Sequence, residues 1–139
     1  MFALMNAADC YVSLHRAEGF GLGMAEAMAM GKPVIATNYS GNTEFLRDDT
    51  GYPVPFRLKR VGPDDYVYAE GQVWADPDEA ACAAAMARVV ADPQEAASKA
   101  KAGQAFIAER YGLANVGRIV ETRLAEIHAA LPETAARKL

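Results

Sequence analysis

Two short apolar runs with a helix-length segment between them open the pattern of this chain. Cys10-Tyr-Val-Ser-Leu14 and Pro33-Val-Ile-Ala-Thr37 are β-prone and too short for helices, which marks them as buried strands. Between them, residues 21–30 place Leu22, Ala25, Met28 and Ala29 at i, i+3 and i+4 spacing ahead of Gly31, the pattern of a packed helix with a glycine stop. Strand, helix and strand in this order predict a βαβ unit with parallel strands and a right-handed crossover. The loop after the first strand then lies at the carboxyl edge of the sheet, where such sheets bind ligands.

The flanking pattern extends this core. Residues 1–9 read as the end of an Ala/Leu/Met helix stopped by Asn6 and Asp9, residues 41–46 as a short helix, and residues 51–55 as a strand that Pro53 places near an edge. From 56 to 73 the turns Gly62-Pro63 and Glu70-Gly71 predict an excursion, an irregular hairpin. The last third is helical. Asp76-Pro77-Asp78-Glu79 and Asp92-Pro93-Gln94-Glu95 each offer an N-cap Asp, a Pro at the first helical position and a Glu at the third, so helices start near 77 and 93. After a break at Tyr111-Gly112, a third helix over 113–130 carries Val116, Ile119, Val120, Leu124 and Ile127 on one face, and 132–139 read as a flexible tail. The expected fold is α/β, a Rossmann-like parallel sheet with flanking helices and a helical C-terminal third, spanning residues 1–131.

Composition narrows the partners. The chain has 139 residues, 52% of them hydrophobic, which suffices for one core. With 14 basic against 18 acidic residues its formal charge is −4, so it has no general field to hold nucleic acid or anionic lipid. Cys10 and Cys82 sit in apolar surroundings and read as buried free thiols of a reducing compartment. No run reaches the length of a membrane span and no basic leader opens the chain, so the expected location is the cytoplasm.

The chemistry concentrates in residues 14–44. Gly19, Gly21 and Gly23 precede or open a helix whose first-turn amides can receive a phosphate, although glycines also serve a tight turn alone. A dinucleotide fingerprint fails because Met24 and Glu26 stand where it needs Gly or Ala, and no P-loop occurs. Glu18 and Glu26 flank the glycines. A carboxylate accepts two hydrogen bonds side by side, so it matches the vicinal diol of a ribose or hexose. The bland alternative is a surface Glu18 and a solvated Glu26.

Glu18-Gly-Phe-Gly-Leu-Gly-Met-Ala-Glu26, the continuation to Gly31-Lys-Pro-Val-Ile-Ala-Thr37, and Ser40-Gly-Asn-Thr-Glu44 together resemble the C-terminal domain of retaining glycosyltransferases of the GT-B fold, family 4. The likeness continues through Asp48-Asp-Thr-Gly51, Trp74-Ala-Asp-Pro77 and Asp92-Pro93, up to about residue 110. The resemblance implies a donor that is a nucleotide-diphosphate sugar, such as a GDP- or UDP-hexose, and a saccharide or lipid-linked acceptor. Cofactor and metal are expected to be absent. It gives Glu18 the catalytic place beside the reacting carbon, and Glu26 the ribose hydroxyls. The amides of Gly19, Phe20, Gly21 and Leu22 would receive the sugar and diphosphate, and Gly41 and Asn42 complete the donor site. His15 either contacts the donor or bonds a loop carbonyl. Leu14-His15 departs from the Pro-Ser of many relatives, and the 56–73 excursion is longer than usual, as in a subgroup insertion.

Other readings fit less well. Paired carboxylates also serve glycoside hydrolases, which need no Gly-rich helix start between them. His15, Glu18 and His128 have no metal-ligand spacing, and His15-Arg-Ala-Glu18 lacks the Asp and Asn of a kinase catalytic loop. A rival from another class is a non-catalytic remnant that at most binds a nucleotide. A full enzyme of this kind also needs an acceptor domain and preceding strands with an Arg and a Lys, so the chain reads as the rear portion of a longer or split enzyme, peripheral at most to the inner membrane face, inactive alone and dependent on a partner.

Overall fold

The computed structural model describes residues 2–131. In chain order its elements are α1 (Phe2–Ala7), β1 (Tyr11–Ser13), α2 (Leu22–Ala29), β2 (Val34–Thr37), a 3-10 turn (Gly41–Glu44), β3 (Tyr52–Val54), β4 (Phe56–Arg60), β5 (Val73–Pro77), α3 (Glu79–Ala91), α4 (Pro93–Tyr111) and α5 (Leu113–Ala130). β1, β2 and β3 form a parallel sheet in sequential order, with Tyr11 opposite Val34 and Ile35 opposite Tyr52. The α/β architecture and the helical C-terminal part expected from the sequence are therefore present. The tail expected over 132–139 lies outside the described residues. Among those residues, no helix is long and apolar enough to cross a membrane.

The core forms around β2. All four of its residues are buried, which requires cover on both faces, and α2 and α3 both pack on it. Ile35 joins Tyr52, Val54 and Cys82 in one cluster, with Cys10, Leu14, Ala85 and Val89 against it. Side chains alternate along a strand, so Val34 and Ala36 face the other way. Each large apolar side chain so buried contributes roughly 1.5–3 kcal/mol.

The buried face of α2 differs from the expected stripe of Leu22, Ala25, Met28 and Ala29. Leu22 is 64% exposed and Ala29 is exposed, whereas Met24, Ala25, Ala27 and Met28 are buried. The cause is a second neighbour. At Gly103, α4 comes so close that a Cβ there would lie 2.7 Å from the Met28 methyl and 2.8 Å from the Thr50 carbonyl. Covered by the sheet and by α4, α2 buries more than one stripe.

The start of α3 is also corrected. Asp76 and Pro77 belong to β5, opposite Arg57 and Phe56, so the cap is Asp78, whose carboxylate accepts from the Ala81 amide at 2.9 Å. Ladder pairing with β4 takes residues 76 and 77 before a helix can use them. The second cap stands as expected: Asp92 accepts from the Glu95 amide at 2.9 Å ahead of Pro93. Because the Asp92 amide already donates to the Arg88 carbonyl, Glu95 turns to the Arg88 guanidinium, bonding Nε at 2.6 Å and the second nitrogen as well. This clamp ties α3 to α4 and raises the Arg88 pKa, chiefly through those hydrogen bonds. The hairpin is longer than the expected 56–73 excursion, since β4 pairs antiparallel with β5 through residue 77 around a 61–72 connection.

Residues from Ala108 onward form a second unit. Within it, the Asn115 amide donates to the Arg110 carbonyl at 2.8 Å across the break at Gly112. The five apolar residues expected on one face of α5 are 41–53% exposed.

Both cysteines are unpaired, Cys82 buried and Cys10 half-buried. Burial, then the neighbouring Cys82 and Asp9, push the Cys10 thiol from 9.0 up to about 11. An unfolded chain surrenders that proton near its ordinary value while the folded chain keeps it. Stability from this group is therefore intact below pH 9.0 and falls as pH rises through about 11. The urea midpoint is expected to fall less steeply across that interval in Cys10→Ala than in the parent chain. Gly103→Ala should destabilise by about 1–3 kcal/mol through collision with Met28 and Thr50. Gly117→Ala in α5, where a Cβ meets nothing within 4 Å, should stabilise by up to about 1 kcal/mol. Thermal unfolding followed by circular dichroism checks the opposite signs.

Candidate functional site

Because β1 and β2 are parallel neighbours, the loops leaving their carboxyl ends emerge side by side. They touch at two glycines. A Cβ on Gly41 would lie 1.8 Å from the Gly19 carbonyl oxygen and 3.1 Å from the Phe20 Cα, so only hydrogen fits. Around this contact the Ser40 hydroxyl donates to the Glu18 carbonyl, and the Phe20 ring leans on the buried Phe45 ring at 5.2 Å. Ser40 itself holds φ 77 and ψ −153, a region that glycine usually occupies, at a cost of about 1–3 kcal/mol. Beneath the loops lies Asn42, fully buried, its amide donating to the Thr37 carbonyl at 2.9 Å.

The loop ends in a helix start whose first amides have no side-chain cap. Gly21, at φ 90, caps α2 with no side-chain hydrogen bond, and the first helical bond runs from Ala25 to the Gly21 carbonyl at 2.9 Å. The amides of Leu22, Gly23 and Met24 thus precede any intrahelical acceptor and carry the positive end of the helix dipole. At Gly23 a Cβ would meet the Tyr11 hydroxyl at 2.7 Å, so the helix start sits directly over β1.

The two glutamates lie on either side of this start. Glu18, half-buried in the loop, accepts from the Gly19 amide at 3.1 Å, so that amide, one of the expected donor contacts, is engaged by its neighbour. Glu26 is in the second turn of α2, roughly 6 Å along the axis from Leu22 at about 1.5 Å per residue. It is half-buried, and its carboxylate has no hydrogen bond or ion pair to a described residue. Two further polar atoms beside this region, Thr37 Oγ1 and Asn42 Oδ1, are buried without a partner. Each such orphan costs about 1–3 kcal/mol. Glu18 and Glu26 line neither of the two grooves of about 550 Å³, both of which belong to the hairpin.

His15 makes the loop-carbonyl contact named for it: Nε2 is 3.0 Å from the Tyr39 oxygen. A carbonyl only accepts, so Nε2 carries the proton, and Nδ1 faces the Ser13 hydroxyl at 3.5 Å. Arg16 turns away toward the hairpin, stacking on Trp74 at 4.7 Å and pairing with Asp76 at 3.6 Å. Sequence reasoning assigned no role to Ser40, Thr37 or Trp74. All three stood inside the quoted motifs, but nothing in residue type signals a strained backbone, an orphaned hydroxyl or an orphaned indole.

The family model for glycosyl transferases group 1 matches residues 1–106. A protein of Acidianus filamentous virus 1 (isolate United States/Yellowstone), ORF313, named as a candidate glycosyltransferase, is 39% identical over 77 residues, which cover 52% of this chain and 23% of that protein. The structure of sucrose-phosphate synthase from Thermosynechococcus elongatus matches with a TM-score of 0.69 and 26% identity, over 92% of this chain and 27% of that one. This chain thus spans about a quarter of the length of either relative. Its sheet and helices correspond to those of a GT-B glycosyltransferase. By a match that takes in most of its residues, the chain belongs to the glycosyl transferases group 1 family.

Proposed function

We propose that this chain is the donor-binding half of a retaining, family 4 glycosyltransferase that moves a hexose from a nucleotide-diphosphate sugar to a saccharide or lipid-linked acceptor. The observation that supports it most is the uncapped α2 start seated between Glu18 and an unpartnered Glu26 at the carboxyl edge of the sheet. The diphosphate rests on the amides that follow Gly19, against the helix dipole. Glu26 takes the ribose diol through both carboxylate oxygens. On the facing loop, Gly41 allows the close approach, and the buried Asn42 braces that loop from beneath by donating to the Thr37 carbonyl. His15 acts by holding the loop at Tyr39.

Glu18 faces the sugar near its anomeric carbon, where a sugar hydroxyl takes the place of the Gly19 amide. Its charge stabilises the positive character that develops on the ring. The acceptor oxygen bonds to that carbon on the face from which the diphosphate departs. The bond from carbon to phosphate oxygen breaks, and the leaving diphosphate carries off the acceptor proton, with no metal required. In this reading the opposing wall comes from another domain, which orients the acceptor and excludes water.

Calorimetric titration with GDP- and UDP-sugars tests the donor site. The wild-type chain is expected to bind at least one. Glu26→Ala should weaken that binding about 10- to 100-fold, the worth of a charge-assisted pair. Gly41→Ala should abolish it by forcing the two loops apart. A wild-type chain that binds no diphosphate sinks the proposal. Transfer of labelled sugar to added disaccharide by the isolated chain is expected to be at trace level, and turnover at an ordinary enzyme rate would overturn the second-wall requirement.

A further inference from the structure

The β4–β5 hairpin takes no part in the donor site, yet its base is fastened to the loop that carries Glu18. The Ala75 amide donates to the Arg16 carbonyl at 2.9 Å, and the Arg16 guanidinium stacks on Trp74. Beside this fastening runs a groove of about 550 Å³, lined by Ala17 at one end and by Tyr66, Tyr68, Gln72 and Trp74. That volume falls inside the range of roughly 300–1,000 Å³ typical of small-molecule clefts. Tyr66 and Tyr68 are 69% and 95% exposed, Tyr68 sits at φ 54, and the Trp74 indole N–H is buried with no partner.

Two tyrosine rings held in water do nothing for folding. Together they match a pyranose, whose flat C–H faces lie on aromatic rings while its rim hydroxyls need donors and acceptors such as the Gln72 amide. An apolar helix or lipid surface would leave those polar groups unmatched. The groove also begins at Ala17, the residue before Glu18, on the donor loop itself.

We propose that this groove is a saccharide subsite on the acceptor side, holding the chain onto which the sugar is transferred. The assignment to the acceptor rests on the transferase reading above; the capacity to bind saccharide does not. Trp74 is the sole tryptophan of the chain, so its emission reports on this groove. The full chain is titrated with sucrose, maltose, cellobiose and lactose while that emission is followed. At least one disaccharide is expected to give a saturable change, weakened about tenfold or more in Tyr66→Ala/Tyr68→Ala and retained in Glu26→Ala. Both tyrosines are exposed, so the double variant should keep the parent circular dichroism. No saturable change with any of the four, or an identical response in the double variant, overturns the proposal. Parallel titration with UDP and GDP separates the failures. If the diphosphates bind and no disaccharide does, the groove assignment falls alone. If a disaccharide binds and neither diphosphate does, the donor reading falls and the groove stands as a saccharide site.

Discussion

The contact between the Gly19 carbonyl and Gly41 is the constraint on which the site depends. Parallel strands run about 4.8 Å apart, and the loops leaving β1 and β2 must keep nearly that spacing to form a continuous floor. Any side chain at residue 41 would occupy the space of a main-chain oxygen. Holding the loops this close strains Ser40, and the hydroxyl bond to the Glu18 carbonyl and the Phe20–Phe45 ring contact offset that strain. The strain sits where the backbone of the catalytic candidate is fixed, so it sets where the Glu18 main chain can go.

Much of the frame was legible because short-range physics decides it. The apolar runs at 10–14 and 33–37 became adjacent parallel strands, and Asp92-Pro93 capped a helix as written. What the sequence hid was set by neighbours distant along the chain. The buried face of α2 widened because α4 arrives at Gly103, and the cap moved from Asp76 to Asp78 because residues 76 and 77 were claimed by a strand pairing with Phe56 and Arg57. Site residues divide the same way. Gly21 at the helix start could be read from spacing, whereas the engagement of the Gly19 amide by Glu18 and the orphaned Thr37 and Asn42 atoms follow from loop conformations that no pattern of residue types encodes.

Four buried polar side-chain atoms among the described residues have no partner; those of Thr37, Asn42 and Trp74 belong to the end of β2, the loop after it and the hairpin, and the fourth is the Tyr52 hydroxyl at the start of β3. Along one edge of the sheet lie the uncapped helix start, the Glu26 carboxylate, unpaired among the described residues, and the buried Thr37 and Asn42 oxygens, and on the fastened hairpin lies the Trp74 indole. A chain optimised only for its own folding would pair or remove such groups, since unmatched polar atoms cost more than apolar replacements.

The hairpin has a single doorway. Its strands enter at Pro55 and leave at Asp78, and the Asp78 amide closes that doorway by donating to the Pro55 carbonyl at 2.9 Å. The Ala75 amide and the Trp74 ring also hold the hairpin to Arg16, so the 61–72 tip is the part that can lengthen, shorten or change its rings without shifting the register of the parallel sheet.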